Sequence, residues 1–464
     1  MKIHLLASSL LLEVFALSIQ AAFSMPVVRS PFNSFESLLP THWVGLVSEE
    51  SFPVHIRHSA PLLLAPVASI SPTGSQSIPR VNSLASFQLL ASFDVPNGVN
   101  PTAGLVRANN GNFYGTTARG GLTGAPNCIA TAGCGTVFRI TPTGQKTTLV
   151  AFDGTNNLGL PSDGTLVQGR DGNFYGTTNG GISSSNFGTA YRMTPTGKLT
   201  KLAQFDFYNT GGAPHGLIQA KDGNLYGTAE TGGAFSSSLC ASRGCGAVFR
   251  LSSAGNLTIL AKFNGTNGSK PTAGLLQASN GSFYGTTSQG GNTTACLNGC
   301  GTIFRMSATG KITTLVKFKG SNGADPEAEL IQGSDGNLYG NTAEGGKNNA
   351  GTLFRMSPNG SLTILYHFNI SNSNGRYPKA ALVQGRDGFF YGTTTSGNFT
   401  NPGGTVFRVT RSGVLTTLIN LTGFPASASN SIAKLVEGNS RQFWGTSVDG
   451  GALDRGTVFR VSVN

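Results

Sequence analysis

The sequence has little charge and none of the common motifs of a catalytic or metal centre. Only 11% of its 464 residues are charged, and it has 6 His and 2 Trp. There is no Ser-His-Asp order, no H-E-x-x-H motif and no cluster of metal ligands, so we expect no metal and no cofactor. Gly, by contrast, accounts for 65 residues without a three-residue period. That composition excludes collagen and indicates many turns instead of long charged helices.

Clustered positive charge is also missing, although the formal net charge is +12. A nucleic-acid footprint needs Lys and Arg gathered on one surface, and the sequence has no Lys/Arg run. Seven of the 32 basic residues are a single Arg that recurs along the chain, at Arg139, Arg192, Arg250, Arg305, Arg355, Arg408 and Arg460. We therefore expect no nucleic-acid partner.

Apolar runs of membrane length are confined to the N-terminus. Residues 1–24 have Lys2, an apolar stretch and then small residues, which is the layout of a secretory signal peptide. An uncleaved anchor is the alternative, but Glu13 breaks the apolar stretch and makes it a poor membrane span. We expect no stable membrane insertion after cleavage. Residues 25–82 are rich in Ser and Pro and match no repeat, which favours a disordered leader or linker.

The six Cys fall into three close pairs, which in an exported protein favour local disulfides. The pairs are Cys128/Cys134, Cys240/Cys245 and Cys296/Cys300. Zinc is the rival interpretation. No His lies near any pair and the spacing differs each time, so we expect disulfides and no zinc.

One stretch, "RDGNFYGTT" at 170–178, recurs in seven versions along the chain. Around each copy lie four short runs rich in Val, Ile, Thr, Phe and Tyr, which predict strands that we name a, b, c and d. In the second unit they span 164–170, 173–178, 188–194 and 198–205. Turn residues bound every run, so each unit predicts a small antiparallel sheet.

Two of the links between these strands have a constant length. From the Leu of strand a to the aromatic residue of strand b there are always nine residues, as from Leu105 to Tyr114. From the aromatic residue of strand c to the last apolar residue of strand d there are always 14, as from Phe138 to Phe152. The a–b link carries Asp-Gly or Asn-Gly in six of seven units, which is a strong hairpin signal.

The other two links vary in length. The d–a link takes 12 or 14 residues, and the b–c link takes from 15 (Tyr339 to Phe354) to 24 (Tyr114 to Phe138). In an up-and-down sheet the two constant links lie at one end and the two variable links at the other. We call these the tight end and the variable end, and all six Cys belong to the variable end.

The order of the strands predicts closure into a ring. The chain starts on a d strand, 87–93, and ends on a c strand, 456–463. Pairing of these two strands completes a seventh four-stranded sheet and closes the sheets into a ring. The predicted fold is an all-β, seven-bladed β-propeller over residues 83–464, and we expect a monomer. An open β-solenoid is the alternative, but it does not explain the permuted start.

The repeat also resembles a known family. Its pattern, "L[VI]Q-x-x-DGNFYGTT…GG…GT[VI]FR" over residues 87–464, is similar to the bacterial GloVer-type (choice-of-anchor) tandem repeat of exported proteins. The resemblance implies export and a repeat fold. Some members end in a sorting anchor, and this chain resembles the unanchored form. The resemblance implies no activity and no catalytic residue.

The residues that recur in every unit are interpreted as structural. The ring of strand b and the Gly after it suit close packing between blades, with stacking platforms for sugars as the alternative. The recurring Arg is expected to meet a carboxylate or carbonyl between blades, with an anion-binding ring as the alternative. Five a strands carry a Gln that is expected to bond backbone groups near the channel, with a ligand site there as the alternative. These are Gln168, Gln219, Gln277, Gln332 and Gln384.

The residues just before strand a differ from unit to unit and would surround the mouth of the central channel. Most are small, and the exceptions are charged or His. These candidate binding residues are Asp163, His215, Glu327, Glu329, Lys379 and Lys434. His215 with Asp163 and Glu327 is a weaker candidate for acid–base catalysis. Scattered charges on a solvated rim are the alternative.

We expect function at the variable end, because repeat proteins place recognition on the face that accepts insertions. The disulfides would order the three longest b–c loops for binding, or only protect them from proteolysis. The predicted function is a secreted or cell-surface scaffold that binds a glycan or protein ligand. The alternative is an extracellular polysaccharide lyase or hydrolase with its site at the channel mouth.

Overall fold

The runs of β-branched and aromatic residues form strands along the whole repeat region. The computed structural model describes residues 83–464 except for the short stretches 126–127, 129–131, 155–164, 181–186, 234–239, 241–242, 370, 372, 398–401, 424–426 and 440. The predicted signal peptide (1–24), the predicted leader (25–82) and Asp163 lie outside the described residues. The described part of the chain includes one turn of 3-10 helix at Val95–Asn97.

The strands form seven four-stranded antiparallel sheets, or blades. We number strands β1–β30 in chain order and blades 1–7 by their copies of the repeated motif. Blade 1 contains β2 (Val106–Arg107), β3 (Phe113–Thr117), β4 (Thr136–Ile140) and β5 (Lys146–Ala151); blade 2 contains β6 (Val167–Gln168), β7 (Phe174–Thr178), β8 (Thr189–Met193) and β9 (Leu199–Gln204). Blade 3 contains β10 (Gly212–Gln219), β11 (Leu225–Thr231), β12 (Ala247–Leu251) and β13 (Leu257–Lys262); blade 4 contains β14 (Leu276–Gln277), β15 (Phe283–Thr287), β16 (Thr302–Met306) and β17 (Ile312–Lys317).

The remaining blades follow the same order except for the last. Blade 5 contains β18 (Ile331–Gln332), β19 (Leu338–Thr342), β20 (Thr352–Met356) and β21 (Leu362–His367); blade 6 contains β22 (Val383–Gln384), β23 (Phe390–Thr394), β24 (Thr405–Val409) and β25 (Leu415–Asn420). Blade 7 contains β27 (Val436–Glu437), β28 (Gln442–Ser447), β30 (Thr457–Val463) and β1 (Ala85–Ser92). A small ribbon pairs β26 (Ala428–Ser429) with β29 (Asp449–Gly450).

The N-terminal strand closes the ring, as the permuted strand order predicts. β1 pairs antiparallel with β30, from Ala85 opposite Val463 to Ser92 opposite Thr457. The seven-bladed propeller is therefore confirmed. Strand a is shorter than predicted in six blades, with only two residues in ladder pairing, whereas in blade 3 it spans Gly212–Gln219. In several blades the carbonyl groups ahead of strand a accept hydrogen bonds from the neighbouring blade instead, as Ala273 accepts from Thr228 Oγ1 at 2.9 Å.

The hydrophobic core lies between adjacent blades. In blade 2 every residue of strand b is buried, and the Tyr of one blade stacks on the Phe of the next, as Tyr114 does on Phe174 with ring centroids 4.2 Å apart. The same contact joins Tyr226 to Phe283, Tyr339 to Phe390, Tyr391 to Phe443, and Trp444 to Phe113. A Cβ on Gly115 would lie 2.6 Å from the ring of Phe138, so only Gly permits this packing. The predicted packing role of the aromatic–Gly pair is thus confirmed.

Candidate functional site at the channel mouth

The repeated Asp at the tight end is an integral part of its turn. Asp171 Oδ1 accepts from the backbone N–H of Asn173 at 3.1 Å, and Asp171 Oδ2 accepts from the Tyr175 hydroxyl at 2.8 Å. Asp222, Asp335 and Asp387 repeat the bond to their own Tyr. Burial alone would raise the pKa of Asp171, but the hydrogen bonds from Asn173 and Tyr175 outweigh it and lower the pKa. These carboxylates therefore serve to hold their own turns through hydrogen bonds.

The recurring Arg lies beside the tyrosine of its own blade. Arg192 is opposite Tyr175 in the ladder of blade 2, and its charge opposes the burial that raises the pKa of Tyr175 to about 12. Arg250 acts on a carboxylate as well, since its charge adds to the hydrogen bonds from Asn224 and Tyr226 that lower the pKa of Asp222 against burial. A carboxylate or carbonyl partner between blades stays a prediction.

The Gln of strand a links the tight ends of neighbouring blades. Gln219 Oε1 accepts from the backbone N–H of Arg170 in blade 2 at 2.9 Å, and its Nε2 donates to the carbonyl of Gly223 at 3.0 Å. The same pair of bonds is made by Gln168, Gln277, Gln332 and Gln384. The prediction that these side chains bond backbone groups is confirmed.

Strand a and the residues before it line the central channel. Counted from the buried Leu of each a strand, the residues at positions −3, −1 and +1 share one face, because side chains alternate along an extended chain. One small cavity touches positions −3 or −1 in all seven blades, which identifies that face as the channel wall. The +1 residues form what we call the aliphatic ring: Val106, Val167, Ile218, Leu276, Ile331, Val383 and Val436.

The predicted charged residues occupy two layers of this wall. Glu327 and Lys379 stand at position −3, nearest the variable end, and Lys379 Nζ lies 2.9 Å from Glu327 Oε2. Glu329 and Lys434 stand at position −1, one layer deeper, with Lys434 Nζ 3.7 Å from Glu329 Oε2. The structure therefore pairs four of the six candidates across blades, whereas the sequence only placed them near one mouth.

A cavity of about 500 Å³ opens at the variable end, and we call it the mouth cavity. Its lining is polar apart from one side chain, Ile432. The other residues in contact with it are Thr102, His215, Glu230, Thr272, Glu327, Lys379, Thr395 and Asn430. Hydroxyl, amide, carboxylate, imidazole and ammonium groups thus meet in one concave site.

His215 is held by a partner that the sequence did not indicate. It is buried, with 6% of its surface exposed, and its Nε2 lies 3.2 Å from Glu230 Oε2 at the end of strand b in the same blade. The hydrogen bond to His215 lowers the pKa of Glu230 despite burial, which acts in the opposite direction. A contact of His215 with Asp163 falls outside the described residues, so that part of the catalytic interpretation stays a prediction.

Asp325 is a second residue that sequence reasoning missed. Burial raises its pKa to about 7, and the neighbouring Glu327 and Glu344 carboxylates add to the shift while Lys379 opposes it. Burial would lower the pKa of Lys379, but the surrounding carboxylates, chiefly Glu327, outweigh burial and raise it. One carboxyl beside Glu327 and Lys379 therefore titrates closer to neutral pH than an ordinary Asp does.

A regular signal could have found Asp325. It lies five residues before the Leu of its a strand and has a left-handed φ of 56°. The equivalent residues of four other blades share that conformation, namely Asn100, Lys270, Tyr377 and Asn430. In the sequence all but Asn430 precede a Pro, so the position can be read directly from the repeat.

The b–c loops of the variable end carry the three predicted disulfides. Cys128–Cys134, Cys240–Cys245 and Cys296–Cys300 are all bonded, which confirms the pairing. The last of these closes a loop whose Leu297 is 92% exposed. Among the described residues, no three His, Cys, Asp or Glu side chains come together as a metal site would require.

Comparison with known proteins agrees with the geometry of the repeat. The model of the Gloeobacter/Verrucomicrobia repeat matches residues 71–295 and 237–459. The chain belongs to this repeat family. No curated protein matches the chain. The described residues contain no helix with the length and apolar character needed to cross a membrane.

Two solved structures are similar to this member of the repeat family. The extracellular domain of a hybrid two-component system from B. thetaiotaomicron is 11% identical, with a TM-score of 0.50 over 81% of this chain and 41% of that one. A second such domain from the same organism is 12% identical, with a TM-score of 0.49 over 82% of this chain and 43% of that one. The repeat protein thus spans about two fifths of the length of these two structures.

Proposed function

We propose that this repeat protein is an extracellular binding propeller whose mouth cavity takes a saccharide. The observation that carries the proposal is the mouth cavity itself, about 500 Å³ in volume and lined by polar residues except for Ile432. Sugars present hydroxyls that both donate and accept hydrogen bonds, and the lining offers donors and acceptors of every kind. The predicted signal peptide and the three disulfides support a location outside the cell.

The polar groups of the mouth are held in place before any ligand arrives. His215 is buried against Glu230, and Lys379 is bound to Glu327 of the adjacent blade. A ligand that replaces surface water here has to order few side chains, which lowers the entropic cost of binding. Leu297 on its disulfide-closed loop adds exposed apolar area at the variable end, which supports contact with more than one sugar residue or with a protein carrying the glycan.

A screen of oligosaccharides and polysaccharides against the whole chain tests the proposal. We expect at least one saccharide to bind, and the double variant Glu327→Gln, Lys379→Met to bind it at least about tenfold more weakly. The matched control is Arg386→Met, which removes the ion pair between Arg386 and Glu437 at the tight end, where the Nε–Oε2 distance is 3.9 Å. Unchanged binding by the double variant would show that the ligand does not sit in the mouth. Binding of proteins alone, without any glycan, would overturn the ligand class.

Hydrolysis of a bound polysaccharide is the second candidate, and Asp325 is the observation that favours it. A carboxyl with a pKa of about 7 is suited to donate a proton near neutral pH, as the general acid of glycoside hydrolysis does. On this candidate Asp325→Asn abolishes the release of reducing ends but leaves binding intact. If no reducing ends are released from any saccharide that binds, the protein only binds its ligand.

A further inference from the structure

The channel has a second cavity, at its tight end, that the mouth cavity does not explain. This tight-end cavity has a volume of about 540 Å³ and shares no lining residue with the mouth cavity. The space between them is a constriction of about 80 Å³, lined by both charged layers. A molecule in the tight-end cavity therefore enters from the tight end, opposite to the loops on which the proposed saccharide site depends.

Three residues of the aliphatic ring form the apolar part of the wall of the tight-end cavity. Ile218, Leu276 and Ile331 face it directly, with the buried Leu275 and Leu330 behind them. Ile331 illustrates the setting, since it packs against the core between blades 5 and 6 but remains partly exposed. All seven blades carry an aliphatic residue at this position. Packing against the core accounts for the burial of the inner part of each side chain. The outer part stays in contact with water in the channel, which costs free energy that an apolar ligand would recover.

The rim of the tight-end cavity is positively charged. Arg170 donates from Nη1 and Nη2 to the backbone carbonyls of Lys221 and Ala220, at 3.3 and 3.2 Å. Lys221 Nζ in turn donates to the carbonyl of Ser279 at 3.2 Å. These bonds fix the two cations without neutralising them, because a carbonyl carries no net charge. The one carboxylate of the lining, Glu329, lies beside Lys434, so the lining retains two positive charges in excess.

We propose that the tight-end cavity binds an amphipathic anion. Its apolar body lies against the aliphatic ring, and its carboxylate or sulfonate lies among Arg170, Lys221 and Lys434. The apolar wall, a few placed polar groups and a volume between about 300 and 1,000 Å³ are the usual features of a small-molecule site. Charge complementarity selects an anion over a neutral or cationic molecule of the same shape.

Titration of the whole chain with anilinonaphthalene sulfonate tests this proposal, because the dye joins an apolar body to an anionic group and fluoresces when its surroundings are apolar. We expect saturable binding of one dye per chain. Octanoate should displace the dye, and octylamine, with the same chain length and the opposite charge, should not. Equal displacement by the two competitors, or binding of several dyes without saturation, would overturn the proposal.

Variants locate the dye. We expect Ile331→Thr and Lys434→Gln each to weaken dye binding by about tenfold. Val414→Ser is the control, since Val414 is 64% exposed on a tight-end turn of blade 6 and away from the channel. Loss of dye binding in Val414→Ser, or unchanged binding in both channel variants, would place the dye on the outer surface and refute the site. If Ile331→Thr does not melt cooperatively, Lys221→Gln takes its place. Saccharide binding at the mouth should survive all of these changes, so the two proposals fail independently.

Discussion

The aspartates at the two ends of the propeller are held in opposite ways. At the tight end, Asp171 is exposed to solvent, and hydrogen bonds from Asn173 and Tyr175 keep its pKa below the ordinary value. At the variable end, burial and neighbouring carboxylates raise the pKa of Asp325 to about 7. The hydrogen bonds of Asp171 stabilise its turn, whereas ionisation of the buried Asp325 beside other carboxylates costs free energy. A fold accepts such a cost at sites used for something other than folding.

The largest expected effect is on ring closure, which holds both ends together. Deletion of 83–92 removes β1 and exposes the edge of β30, whose partners run from Ala85 to Ser92. We expect the melting temperature to fall by more than about 10 °C, or cooperative unfolding to be lost. A chain that begins at residue 83 is the control. An unchanged melting temperature after the deletion would show that this strand is not needed to close the propeller.

The tight end should respond strongly to loss of an aromatic ring. Tyr391→Ala removes a buried ring that stacks 3.9 Å from Phe443 and should lower the free energy of unfolding by about 3–5 kcal/mol. Tyr391→Phe keeps the stack and loses only the hydroxyl bond to Asp387, so we expect about 1 kcal/mol. Urea denaturation measures both. Equal losses in the two variants would mean that the hydroxyl, and not the stacking, holds the blades together.

At the variable end, replacing a side chain should stabilise the protein instead of destabilising it. Because the folded-state pKa of Asp325 lies above the unfolded value of 3.8, the folded chain loses stability as pH rises from about 4 to about 7. Asp325→Asn removes this loss, so the variant should be more stable than the parent by about 2 kcal/mol at pH 8 and nearly equal to it at pH 4. Denaturation at both pH values checks the sign, and a variant less stable at pH 8 contradicts it.

The smallest expected effect concerns one link between tight ends. Gln332→Ala removes an acceptor for the backbone N–H of Ser279 and a donor to the carbonyl of Gly336, and we expect a loss of about 1 kcal/mol in the free energy of unfolding. Gln332→Glu keeps the acceptor, as Glu437 does in blade 7, and should lose less. If Gln332→Glu and Gln332→Ala are equally destabilising, Gln332 does not contribute to stability through its hydrogen bond to the neighbouring blade.

The tight end could be predicted from the sequence in detail because its distances repeat. The constant spacing from Leu105 to Tyr114 and its six equivalents fixes a hairpin, and the early d strand fixes the closure of the ring. The packing of Tyr114 and the backbone bonds of Gln219 follow from their places on an inner strand. The position of the recurring Arg192 opposite Tyr175 was not predicted, because cross-strand register sets it.

The mouth could be predicted only as a set of candidates. The position of His215 before strand a indicated that it lies near the channel, but its contact with Glu230 depends on a bulge between His215 and Ile218 that no spacing reveals. Asp325 was missed because its importance comes from burial beside Glu327, which only the folded ring produces. A residue that occurs in only one blade has no equivalents from which its partner could be predicted, so the partner is known only from the structure.

The pairing of β1 with β30 has a consequence for how this chain can be cut and rejoined. The two strands begin and end side by side, with Ala85 opposite Val463. The seam of the ring therefore lies between β1 and β30, and a rearranged chain that begins in another loop of the variable end would encode the same propeller. A short peptide joining 464 to 85, with new termini opened in a b–c loop, would keep every blade and move only the seam.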